Sequence, residues 1–246
     1  MEKTVMRNVV AMCAVAAVSA VATARAGEAV PVEAELGLDV MNQYVWRGIL
    51  VHEDTAFQPS FTVSSGGLSA NVWADFSDED LFDDVTEIDY TLSYGFSPSE
   101  AMDAELGYIH YTFDNADDDT GELYASIGFP TLMLSPSATL YYDVVEVDGA
   151  YLSLAAEHSM PLGEHAELTL SGAVGFMDSE QAEIYMNTDE AGIADASLTA
   201  SVGMDLTDAL SMSVSGAYSV LVDDEYRENM DDDDNFTFGV QFSYSF

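Results

Sequence analysis

The last eleven residues, Phe236-Thr-Phe-Gly-Val-Gln-Phe-Ser-Tyr-Ser-Phe246, carry an apolar or aromatic side chain at every second position and a small or polar one between. Successive side chains of a strand point to opposite faces, so this segment makes one apolar face and one polar face. Eleven residues at about 3.3 Å each, tilted about 45°, span roughly 25 Å, the height of the apolar band of an outer-membrane barrel. A half-buried strand of a soluble sandwich has the same local pattern. The rest of the chain separates the two.

The same period recurs at about 34–46, 57–64, 68–76, 87–96, 102–113, 122–129, 134–144, 150–158, 166–176, 193–206, 210–222 and 236–246. That makes twelve strands, an even number, as single-chain bacterial barrels have. Ten or fourteen are the alternatives, because the 130–150 and 177–192 stretches are the least regular. The breaks sort by parity. Those after even strands are short and turn-like, such as Ser64-Ser-Gly-Gly67, Ser97-Pro-Ser-Glu100, Pro130-Thr131 and Pro161-Leu-Gly-Glu164, and together hold 3 acids. Those after odd strands are mostly longer and hold 26 acids. Short turns at one end and long loops at the other is the plan of an all-β, closed antiparallel transmembrane barrel, with the long loops outside the cell. A soluble sandwich has no reason to sort its charges this way.

The acids within strands keep one phase. With the apolar phase towards lipid, Glu35, Asp39, Asp75, Glu87, Asp89, Asp103, Glu105, Glu122, Asp143, Glu157, Glu167, Asp195 and Asp205 all fall on the opposite side. In strand 102–113, Ile109 and Phe113 share the acids' parity, which a bulge or an interface position explains. Arg47 has the phase of Glu35 and Asp39. It is read as a lumen residue near the mouth, either a salt bridge fixing the wall or a constriction residue that steers an anionic group.

Charge and composition narrow the class. The 246-residue chain has 45 Asp and Glu against 5 Lys and Arg, a formal charge of −40, and 48% hydrophobic residues. Acidic disordered chains are poor in aromatics, whereas this one has 12 Phe, 13 Tyr and 2 Trp. A phosphate backbone would be repelled, so nucleic acid is no partner. The single cysteine forbids an intrachain disulfide framework or a Cys-based zinc site.

Lys3 and Arg7, then the apolar run Val9–Val21 and Ala24-Arg25-Ala26, read as a secretory signal peptide over residues 1–26, cleaved after Ala26 with Ala24 as the alternative. This run of thirteen residues falls short of the roughly 20 a spanning helix needs. The mature part, 27–246, retains only Arg47 and Arg227 as bases and contains no apolar run near 18 residues.

Tyr44-Val-Trp-Arg-Gly48, Gly66-Gly67, Asn71-Val-Trp-Ala-Asp75 and Glu87-Ile-Asp-Tyr90 resemble the TorF-type porins, best over 34–113 and on through Phe246. The resemblance implies a bacterial outer-membrane barrel and brings no substrate or catalytic residues with it. The chain departs from the family in being almost free of bases.

Candidate chemistry is sparse. Outer-membrane phospholipases use a His and a Ser two residues apart on one face. His158 and Ser159 are adjacent and would face opposite ways. No enzyme is expected. Asp117, Asp118 and Asp119, and Asp231, Asp232, Asp233 and Asp234, are weak candidates for hard-cation ligands without EF-hand spacing. The bland reading is a hydrated acidic loop. Loose association of Ca²⁺ or Mg²⁺ is the only cofactor expectation. Arg227, among eight acids, is read as a local ion pair. Phe242, Tyr244 and Phe246 read as the signal for the barrel-assembly machinery.

The expected function is an outer-membrane porin-like channel for passive diffusion of ions or small solutes, preferring cations, with Glu35, Asp39, Arg47, Asp89, Glu105 and Asp195 as lumen-lining candidates. The alternative is a structural or adhesive barrel with a plugged lumen that acts through acidic, divalent-cation-binding loops. No plug domain is evident in the sequence. Lipid and small solutes or cations are the expected partners, and the sequence does not decide between monomer and trimer.

Overall fold

The computed structural model describes residues 30–77, 85–113 and 119–246. The expected signal peptide and most of the acidic breaks near 78–84 and 114–118 lie outside the described residues.

Strands β1 (Glu33–Met41), β4 (Ala56–Ser65), β5 (Leu68–Ser77), β6 (Glu87–Ser99), β7 (Met102–Phe113), β8 (Thr120–Gly128), β9 (Ser137–Asp143), β10 (Ala150–Leu162), β11 (Ala166–Met177), β12 (Gly192–Asp205), β13 (Leu210–Leu221) and β14 (Asp234–Ser245) follow one another around a closed antiparallel barrel. The ring shuts where β1 pairs on one side with β4 and on the other with β14, as in Asp39↔Gln58 and Asp39↔Gln241. Strands β2 (Tyr44–Trp46) and β3 (Ile49–His52) stand outside this ring as a separate hairpin.

The alternation in sequence becomes two cylinders of side chains. Outside, Leu36, Leu38, Leu92, Leu106, Leu123, Leu140, Leu154, Leu170, Leu198, Phe236 and Phe238 are exposed around the whole circumference. Moving one such side chain from water to lipid is worth about 1.5–3 kcal/mol. Closure leaves no open edge, which lipid demands because it offers backbone groups no partner. Inside, small polar residues bond across the ladder: Asn71 donates to Thr62 at 2.8 Å and Thr139 to Ser126 at 3.0 Å.

The structure corrects the expected elements in three places. The first strand does not run from 34 to 46. It ends at Met41, and Tyr44–Trp46 begins the hairpin. The two-residue turn at Pro130-Thr131 is a wider connection, because β9 starts only at Ser137. No bulge interrupts 102–113: Ile109 pairs with Glu122 and Phe113 with Glu87, so both sit on the lumen side, and the ladder shifts instead between Phe96 and Ser99.

The long loops are structured. Helix Ser179–Tyr185 starts at Asp178, whose carboxylate accepts from the Gln181 N–H at 3.0 Å, and a second short helix spans Asp224–Asn229. Met186, Leu221, Tyr226, Ala182 and Tyr151 bury one another there, with Ile49 of the hairpin against them. Tyr226 donates to the Glu190 carbonyl and Asn229 to the Met186 carbonyl, which ties the two loops together over the β9–β13 side of the mouth.

Candidate functional site: a hairpin across the lumen

Asn42 and Gln43 turn the chain away from the wall. Asn42 exchanges bonds with β14, donating to the Phe236 carbonyl and accepting from the Phe238 N–H at 2.7 Å, while the Gln43 amide donates to Asn235 at 3.0 Å. The next residues form the hairpin, with Arg47 and Gly48 at its tip at φ of 49° and 80°. Positive φ at both central residues is the type I′ geometry, whose twist suits a two-residue hairpin. Gly48 is required for a second reason: a Cβ there would lie 2.7 Å from the Asp195 Cβ and 3.0 Å from Leu221.

The tip touches the far wall. The Arg47 Nη1 and Nη2 donate to the two oxygens of Glu122 on β8 at 2.8 and 2.7 Å, a paired fork geometry that suits a guanidinium. Its guanidinium carbon also lies 4.7 Å from the Tyr141 ring centre on β9, 4.2 Å from Tyr151 on β10 and 4.3 Å from its neighbour Trp46. At the other end of the hairpin, His52 Nε2 lies 2.8 Å from Asp75 on β5, and Tyr44 packs against Trp73. A segment that meets β5 on one side and β8–β10 on the other crosses the lumen. It fills the long-loop half: the Arg47 side chain is 7% exposed, Glu122 1%, and Asp75 and Asp143 0%.

The buried carboxylates here are well partnered. Glu122 also accepts from Tyr111, Asp195 from Tyr151, and Asp75 from Gln58 and Thr86. Asp143 accepts from Thr120 and from the backbone N–H groups of Val145, Glu146 and Val147. By contrast, one oxygen each of Asp39 and Asp89 is buried without a hydrogen-bond partner among the described residues.

A family model described as "Bacterial protein of unknown function (Gcw_chp)" matches residues 25–241. The chain belongs to the Gcw_chp family. No curated protein matches its sequence. Among solved structures, the KdgM porin aligns with a TM-score of 0.55 at 8% identity, covering 87% of this chain and 99% of that one. The NanC porin aligns at 0.53 and 9%, with the same coverage. The COG4313 outer membrane channel from Pseudomonas putida F1 aligns at 0.53 and 9%, covering 91% of this chain and 98% of that one. At such identities these likenesses establish the fold.

In this Gcw_chp barrel the candidate residues scatter along the lumen axis. Asp195 flanks Gly48 at the hairpin tip, and Asp39 and Asp89 sit in the same half of the wall. Glu35 and Glu105 lie towards the short turns, where Glu105 accepts from Tyr124. Arg47 is a lumen residue, yet on the hairpin and not on a wall strand. Phase alone puts Glu122 on the lumen side, but nothing in the spacing joins it to Arg47 or marks Tyr111, Tyr141, Tyr151 and His52, because their partnership spans separate strands. The Arg47-Gly48 turn inside an apolar run was the available signal.

The acidic loop candidates do not converge. Asp117 and Asp118 lie outside the described residues. Asp233 pairs with Arg227 at 2.7 Å and Asp234 accepts from Tyr218. Among the described residues no group of three or more His, Cys, Asp or Glu is placed to hold a metal ion. Ser159 bonds to Thr169 across the ladder, on the face opposite its neighbour His158.

The hairpin's base is expected to respond to pH through His52 and Asp75. The hydrogen bond to Asp75 raises the His52 pKa above the ordinary 6.5, with desolvation opposing it. A raised folded-state pKa means the charge-assisted part of the tether is fully present below about 6.5 and is lost as pH rises through the higher, folded-state value. The expected result is that amide exchange in Tyr44–His52 quickens as pH rises through the range just above 6.5, beyond the intrinsic increase, and that His52→Gln flattens this excess. Identical profiles for the two proteins would remove His52 as the cause.

Proposed function

We propose that this chain is an outer-membrane channel for passive diffusion of ions or small solutes, that it prefers cations, and that the Tyr44–His52 hairpin forms its constriction. The observation that carries the reading is the combination of an apolar outer cylinder, a polar inner wall, and an inward-folded hairpin that narrows one half only. Twelve strands at about 4.8 Å spacing and about 40° tilt give a backbone diameter near 24 Å, so the hairpin leaves a narrow passage rather than a wide one. At the short-turn end a recess of about 460 Å³ is bordered by Glu167, Asp205, Ser211, Ser213, Gln241 and Ser243. The TorF-like Tyr44–Gly48 element supports the same reading, since it builds the hairpin tip.

The case for cations is electrostatic. Arg47 is matched by Glu122, Arg227 by Asp233 and His52 by Asp75, so Asp39, Asp89 and Glu105 are in no ion pair among the described residues. Carboxylate-lined walls concentrate cations. Exposed loop charges are screened beyond about 8 Å at physiological salt, and wall charges in a narrow lumen are screened less. Replacing Asp39, Asp89 and Glu105 together by Asn, Asn and Gln is expected to lower cation preference at high salt more than neutralising Asp231–Asp234. Reversal potentials across a KCl gradient measure this. Anion preference in the unaltered protein, or a larger high-salt effect from the loop variant, would overturn it.

The near-complete burial of Asp75, Glu122 and Asp143 favours one second reading, a plugged structural barrel acting through its acidic loops. Absence of conductance steps in planar bilayers would decide for that reading.

A further inference from the structure

We propose that the wall pocket around Glu122 is a guanidinium-binding cage, that Arg47 is its tethered occupant, and that free guanidinium-bearing solutes compete with the hairpin for it. The channel reading is needed only for solute to reach the cage; binding itself is read without conductance.

The cage is built by the wall and not by the hairpin. Glu122 comes from β8, Tyr111 from β7, Tyr141 from β9 and Tyr151 from β10, four consecutive strands of the ring. Glu122, Tyr111 and Tyr151 are held by the ladder and by bonds that do not involve Arg47, and Tyr141 by the ladder and by ring contacts with Tyr124 and Tyr151. The Tyr111 hydroxyl donates to Glu122 Oε2 at 2.8 Å, the Tyr151 hydroxyl donates to Asp195 at 2.8 Å, and the Tyr141 and Tyr151 rings lie 6.1 Å apart. Glu122 thus presents both oxygens edge-on to a planar fork of donors, with two phenol faces beside it. A guanidinium matches that pattern in shape, charge and stacking, whereas an ammonium or a potassium ion has neither the plane nor the fork. Of the groups around the cage, only Trp46 enters with the hairpin.

Stability alone is a poor reason for the arrangement. A buried ion pair is often no more stabilising than apolar residues of the same size. Yet one of only two bases in 27–246 is placed here, at the tip of a hairpin on a positive-φ residue. A side chain delivered at the end of a hairpin arm into a pocket whose walls come from other elements is the geometry of an internal ligand.

The test uses the detergent-folded full barrel carrying Arg47→Ala, and follows its unfolding temperature by heat-modifiable gel migration. The variant is expected to unfold at a lower temperature than the parent. Millimolar guanidinium or methylguanidinium should restore at least half of the loss, while potassium or tetramethylammonium at equal ionic strength should not. Adding Glu122→Gln to Arg47→Ala should abolish the restoration. Equal restoration by potassium, or persistence of the effect in the double variant, would overturn the cage.

If Arg47→Ala does not assemble, Trp73→Phe keeps an aromatic ring beside Tyr44 and leaves Trp46 as the lone tryptophan reporter, with Arg47 still in place. Guanidinium is then expected to shift Trp46 emission to the red saturably, and a flat response would overturn the competition. Restoration without any conductance counts against the channel alone, and conductance without restoration counts against the cage alone.

Discussion

Replacing Glu122 by alanine is expected to free the hairpin and raise single-channel conductance. The substitution leaves Arg47 in a site where its side chain is 7% exposed, with its paired carboxylate gone. Removing one member of a buried ion pair costs about 3–5 kcal/mol, because the remaining charge stays desolvated. The wall does not bear that cost, since Glu122 is paired on both sides, with Ile109 and with Asp143. The hairpin bears it. The stacking of Arg47 on the wall residues Tyr141 and Tyr151 is worth about 0.5–2 kcal/mol per contact and is lost together with the pairing once the arm swings out. What remains is the base, at Asn42, Gln43 and His52. Planar-bilayer recordings should show larger unit steps, and amide exchange should quicken in Val45–Leu50. Glu122→Gln should fall between, since it keeps one acceptor and loses the charge. Unchanged steps with unchanged exchange would show that the pair does not hold the constriction.

Phe246→Asp is expected to cut the yield of assembled barrel in cells several-fold while leaving refolding into detergent nearly intact. The magnitude of the direct cost is what makes the experiment informative. Phe246 is 69% exposed at the end of the last strand, its N–H bonded to the Ala34 carbonyl across the seam. An acid on the lipid face near an interface costs only about 0–1 kcal/mol. A loss far beyond that reflects recognition of the Phe242, Tyr244 and Phe246 side by the assembly machinery, not instability of the product. Tyr244 and Phe246 meet edge to face at 5.0 Å on that side. Equal yields from the two proteins would withdraw the assembly role.

Strands were legible wherever one side faced lipid and the other water, because a period of two records that contrast directly. The strand expected at 102–113 has those bounds in the structure, and that at 210–222 differs by one residue. The same logic failed at 44–52. A hairpin inside a lumen is packed against protein, so Val45, Ile49 and Leu50 carry no alternation to read, and 44–46 reads as the end of the first strand with 47–52 as part of the break that follows. The short helices at 179–185 and 224–229 were hidden for a related reason: each is held by a cap and a few buried side chains rather than by a full apolar stripe. The cage was the least legible feature. Arg47 and Glu122 are 75 residues apart, and nothing local marks either as the other's partner.

The anchors of the hairpin carry a consequence for the order of folding. Its base is fastened by Asn42 and Gln43 to residues 192 and 194 positions away, on the strand that completes the ring. Its tip seats on three strands from the middle of the chain. The arm is therefore among the earliest segments in sequence, and its full set of contacts exists only once β14 has met β1. Contacts of such long separation form late, since loop-closure entropy opposes them until most of the structure exists. The arm acts as a built-in indicator of completion: a lumen with the arm seated belongs to a barrel whose seam has already closed.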